Sequence, residues 1–120
     1  MGRPVVHFEI TGKDAKKLHE FYGALFDWQI EANNPMNYGL VDTRSDRPTI
    51  GGGIGGAQGP NQVTFYVEVD DPQAYLNKIE AKGGKTIVPV TEIPGMVTFA
   101  QFADPEGNVV GLVKEDQPRA

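Results

Sequence analysis

The feature that most constrains this chain is a repeated order of elements, read twice from hydrophobic period. Val5 to Ile10 alternates apolar Val6, Phe8 and Ile10 with His7 and Glu9, the period-two signature of a half-buried strand. Asp14 follows as an N-cap, and Leu18, Phe21, Tyr22, Leu25 and Phe26 form an apolar stripe of helical period. Strands are expected at Trp28 to Ile30 and at Tyr38 to Val41, followed by Thr49-Ile50 and the glycine tract Gly51 to Gly56. The order then recurs: a strand at Val63 to Val69, a helix begun by Asp71-Pro72 and stopped by Gly83-Gly84, then strands at Thr86 to Val90, Val97 to Phe102 and Val109 to Val113. Asp104-Pro105-Glu106-Gly107-Asn108 makes the last two a hairpin.

At an offset of 57 residues Val6, Phe8, Asp14, Ala24 and Ile30 fall on Val63, Phe65, Asp71, Ala81 and Ile87. At an offset of 60, Met36, Ile50 and Gly51 fall on Met96, Val110 and Gly111. The expectation is an α+β fold of two tandem βαβββ modules, about residues 4–56 and 61–115, within one domain spanning 1–120. One such module cannot bury both faces of its strands. Two together would make a curved mixed sheet around a concave pocket, with the helices outside.

Composition narrows the function. A net charge of −5 with scattered basic residues excludes nucleic acid as the main partner; Lys13, Lys16 and Lys17 read as a solvated helix face. The absence of cysteine excludes disulfides, thiolate ligands and a cysteine nucleophile. No apolar run reaches the ~20 residues of a membrane span, and Met1 to Pro4 leads into a strand without a signal-peptide core, so a cytoplasmic protein is expected. The tail from Glu115 to Ala120 reads as frayed. Two histidines cannot make a three-histidine metal site in one subunit.

Three segments carry a family resemblance: His7 to Ile10 with Phe21-Tyr22 and Leu25 to Trp28; Val67 to Asp71 with Gly83-Gly84; and Asp104 to Asn108 before the terminal strand. Together they resemble the vicinal oxygen chelate superfamily, in its glyoxalase-related branch, which also includes bleomycin resistance proteins and extradiol dioxygenases. The resemblance implies a divalent-metal site with one ligand on the first and one on the last strand of each module. Here those positions fall on His7 and Thr64, and on Gly51 and Gly111, where metal enzymes of the family often carry Glu. Glycine offers no donor, and a threonine hydroxyl is a poor ligand beside imidazole or carboxylate. No cofactor is therefore expected, a divalent metal being the alternative.

His7 and Glu9 are the candidate catalytic residues. They leave the same strand face about 6.5 Å apart, and imidazole titrates near ~6.5. A hydrogen-bonded strand histidine, and a glutamate facing water, are the plainer readings. Thr64 and Tyr66 occupy the same places in the second module and, with Gln101 and Trp28, are the candidate substrate-binding residues. Phe21, Tyr22 and Phe26 are read as packing, and His19, off the apolar stripe, as a surface residue. The glycine tract fits no phosphate-binding motif and reads as a mobile connection between modules.

Three functions are weighed. The first is a metal-free glyoxalase-like protein that binds, and isomerises or cleaves, a small metabolite. The second is a metal-dependent lactoylglutathione lyase-like or dioxygenase-like enzyme that takes missing ligands from Glu9 or a partner subunit. The third is a non-catalytic, drug-sequestering protein. A homodimer is expected from the family's habit.

Overall fold

The computed structural model describes residues 2–115. Residues 116–120, the bulk of the tail expected to fray, lie outside the described residues. The architecture is α+β, two copies of β-α-β-β-β in chain order. The chain divides into two compact units, Val6–Thr64 and the segments 2–5 and 65–115.

In the first module the strands are β1 (Val5–Gly12), β2 (Gln29–Glu31), β3 (Gly39–Asp42) and β4 (Gly51–Gly56), with helix α1 (Ala15–Phe26) after β1. The strands lie in the order β2-β3-β4-β1; β4 runs parallel to β1 and antiparallel to β3. Asp14 caps α1 by accepting the Lys17 amide at 3.0 Å, satisfying one of the donors a helix leaves unpaired at its start.

The glycine tract is not a connection: Gly51–Gly56 is the whole of β4, and its inner four residues are buried. Crowding on both faces is the reason. A Cβ at Gly52 would fall into the Phe8 ring, and one at Gly53 or Gly55 into Tyr38. Small residues are required where large neighbours lie directly on the backbone.

The aromatic stripe of α1 packs on itself more than it is covered. Tyr22 stacks on Trp28 at 5.8 Å and meets Phe21 edge-on at 5.1 Å, yet Phe21 and Phe26 are 56% and 52% exposed. His19, expected at the surface, is half-buried and bonds the Ile54 carbonyl on β4 at 2.8 Å. The missing side chain of Gly39 permits this: a Cβ there would stand 2.6 Å from His19 Nε2.

The second module has β5 (Gln62–Val69), α2 (Pro72–Ala81), β6 (Lys85–Ile93), β7 (Val97–Ala103) and β8 (Val109–Lys114). Its strands lie in the order β5-β8-β7-β6, with β8 parallel to β5 and antiparallel to β7. Asp71 caps α2 through the Ala74 amide, Pro72 opens it, and Gly83 takes a φ of +96° just beyond its end. Leu76 of α2 is buried with Val69, Ala100 and Leu112 to form the core, flanked by Val67, Ile79 and Phe102. Burial of such side chains is worth roughly 1.5–3 kcal/mol each. Arg3 joins this unit, donating to the Tyr75 hydroxyl at 2.9 Å and approaching Asp70 at 3.5 Å.

The Asp104-Pro105-Glu106-Gly107-Asn108 motif is the β7–β8 turn. The Asp104 carboxylate accepts the Asn108 side chain and the Glu106 and Asn108 amides, each at 2.9 Å. These bonds, led by the Asn108 side chain, hold its pKa below the usual carboxylate value. Gly107 supplies the φ of +92° that the turn needs. Among the described residues no helix is long and apolar enough to cross a membrane.

Candidate functional site

Strand alternation separates two faces of β1. Phe8 faces the aromatic cluster, 5.6 Å from Trp28. His7 and Glu9 point the other way. Trp28 therefore sits with Phe8, Tyr22 and Phe26, on the opposite face of the module from His7 and Glu9.

His7 and Glu9 are joined by a residue that sequence reading placed only in a strand. The Tyr38 hydroxyl donates to Glu9 Oε2 at 2.8 Å and lies 3.0 Å from His7 Nε2. The His7 and Tyr38 rings are near-parallel, at 17° with centroids 6.3 Å apart. All three residues are half-buried. A phenol has one proton; with that proton directed to Glu9, the Tyr38 oxygen is left to accept from His7 Nε2. Burial pushes the His7 pKa down, against a smaller upward pull from Glu9. The arrangement is a neutral imidazole linked through a phenol to a carboxylate.

Local sequence builds it. Asn34 brackets the turn before β3: its Oδ1 accepts the Met36 and Tyr38 amides at 3.2 and 3.0 Å, and its Nδ2 donates to the Tyr38 carbonyl at 2.7 Å. Asn37 takes a left-handed φ of 52° within the turn. The phenol then lies across β4 above Gly53, the register partner of Glu9. The signal available in the sequence was the tract itself. A strand of glycines must be filled by a large side chain from elsewhere.

The second module contains a counterpart. Tyr66, buried on β5, covers Gly111 of β8, where a Cβ would fall inside its ring. Its hydroxyl accepts from Gln101 Nε2 at 2.8 Å, and Phe99 meets the ring at 66°. Tyr66, Gly111 and Gln101 are register neighbours across three strands, so these two predicted residues do come together. Thr64, two residues earlier on β5, is 5% exposed.

Register corrects the pairing of Gly51 with Gly111. Gly51 lies beside His7, whereas Gly111 lies beside Tyr66, the counterpart of Glu9. The equivalent of Gly111 is Gly53, an offset of 58 (111 − 53) rather than 60. Unequal loops before the last strands shift the count.

Gly51, Gly53 and Gly111 carry no donors, and tyrosine rings occupy the space above two of them. Among the described residues no group of three or more His, Cys, Asp or Glu is placed to hold an ion.

The family pattern described as Glyoxalase/Bleomycin resistance protein/Dioxygenase superfamily matches residues 5–112. A glyoxylase-like domain-containing protein of Didymella fabae is 28% identical over 110 residues, covering 83% of this chain and 84% of that protein. The anthracycline biosynthesis protein DnrV of Streptomyces peucetius is 26% identical over 118 residues; the match covers 83% of this chain but only 42% of DnrV. Methylmalonyl-CoA epimerase from Mycobacterium tuberculosis superposes with a TM-score of 0.65 at 12% identity, covering 94% of this chain and 88% of that one, a likeness of fold. The chain belongs to the glyoxalase/bleomycin resistance protein/dioxygenase superfamily.

Proposed function

We propose that this chain is a glyoxalase-like enzyme that moves a proton on the carbon next to a carbonyl of a small, uncharged metabolite, without a catalytic metal. His7 is the base, and Glu9 balances the charge that His7 acquires. The observation that carries the reading is the His7–Tyr38–Glu9 hydrogen-bond chain, with an imidazole that burial keeps neutral. A neutral imidazole accepts a proton at neutral pH and can return it to a second atom, which is isomerisation. The Glu9 carboxylate stabilises the resulting imidazolium and repels an anionic substrate group.

The test is a thermal-shift screen of small carbonyl metabolites with and without EDTA, followed by incubation of each hit with the protein in D2O. Binding raises the melting temperature by mass action. The expected result is a chelator-insensitive hit that takes up deuterium beside its carbonyl. His7→Gln should slow that exchange ~100-fold or more. Binding without exchange would make the chain a sequestering protein, and exchange abolished by EDTA would make it a metal enzyme; either overturns the proposal.

A further inference from the structure

The Tyr38 hydroxyl is placed to decide which nitrogen of His7 carries the proton. Its own hydrogen goes to Glu9, so the oxygen faces His7 as an acceptor only. The phenol has little freedom to exchange roles. Its backbone amide and carbonyl are both tied to the Asn34 side chain, and its ring fills the space above Gly53 and Gly55. The carboxylate thus acts on the imidazole through an intervening phenol, fixing the tautomer as a hydrogen-bonded orienting group does in catalytic and metal-binding histidines.

We infer that Tyr38 is a positioning residue that holds His7 as the Nε2–H tautomer, so that Nδ1 is the basic atom. The catalytic meaning rests on the proton-transfer reading above; the tautomer itself does not. Glu9 sets the direction of the chain. While Glu9 is a carboxylate it can only accept, and the phenol proton cannot turn toward His7.

The experiment is long-range 1H–15N correlation of the whole 15N-labelled protein at pH 8, with His7→Gln used to assign the two histidines. The wild type should show His7 protonated at Nε2 and unprotonated at Nδ1. Tyr38→Phe keeps a ring above Gly53 and removes only the oxygen; the His7 15N shifts should move toward the average of the two tautomers. His19, bonded to the Ile54 carbonyl, should not change. Glu9→Gln provides a second route should the phenylalanine variant fold poorly. A glutamine amide can donate to the phenol, which frees the phenol proton for His7, so an Nδ1–H population should appear. A wild-type Nδ1–H tautomer would overturn the inference, as would an unchanged His7 pattern in the folded variants. Neither result depends on a substrate. An intact Nε2–H tautomer in a protein that exchanges no carbonyl metabolite would sink the proposed activity and leave the Tyr38 role standing.

Discussion

Tyr38 occupies the place that a side chain on Gly53 would need. The same relationship joins Tyr66 to Gly111 in the second module, although one tyrosine enters from the turn before β3 and the other from the first strand. In each module a phenol lies over a glycine of the last strand and ends on a polar side chain, Glu9 in one and Gln101 in the other.

Substituting Gly53 by Ala should therefore act through Tyr38. The added methyl expels the ring or pushes β4 aside, and overpacking of this kind costs about 1–3 kcal/mol. In a Tyr38→Ala background the same methyl meets open space and should cost less. Urea denaturation of the four proteins gives the coupling, expected at about 0.5–3 kcal/mol. Additive effects would show that the two positions do not compete for one volume.

Gly111→Ala should behave in the same manner against Tyr66, again at about 1–3 kcal/mol. Tyr66→Phe should leave the packing over Gly111 intact and remove the acceptor that Gln101 uses, costing about 1–3 kcal/mol for the unpaired amide. Replacing both, with Leu at position 101, should recover much of that loss. Equilibrium unfolding of the single and double variants measures it.

How much of this could be read from the letters follows from which interactions are local. Asp14, Asp71, Pro72, Gly83 and the Asp104–Asn108 turn act within a few residues of themselves, and each does in space what its type announces. His7 and Glu9 share a face because strand period is two. Tyr38 could not be found that way, since its partners lie 29 and 31 residues away. The glycine tract was misread because a flexible connection and a crowded strand call for the same residue, and only the neighbours tell them apart. His19 was misplaced for a related reason: the absence of side chains on Gly39 brings a helix histidine within reach of a strand carbonyl.

That contact gives a third prediction. His19→Phe keeps the bulk over Gly39 and removes the donor to the Ile54 carbonyl. The expected loss is about 0.5–1.5 kcal/mol, the net worth of an ordinary hydrogen bond. Amide exchange should speed up in α1 and the first module's strands more than in α2, because the anchor lies within residues 6–64. A variant as stable as wild type, with unchanged exchange in α1, would show that the bond contributes nothing.

Stability should also depend on pH through His7. Burial lowers its pKa in the folded chain, so below the ordinary imidazole value of about 6.5 the unfolded chain binds the proton first. The unfolded state then gains protons that the folded state lacks, and the free energy of unfolding falls as pH falls. The contribution of neutral His7 is fully present above about pH 6.5, and it is lost progressively until the pH passes below the depressed folded value, after which it stays constant. The Glu9 carboxylate opposes this by favouring the cation, so Glu9→Gln should steepen the loss. Denaturation midpoints between pH 8 and pH 5 measure both effects, with His7→Gln as the reference that lacks the titrating group. A wild-type profile parallel to that of His7→Gln would mean that folding leaves the imidazole as easy to protonate as it is in the open chain.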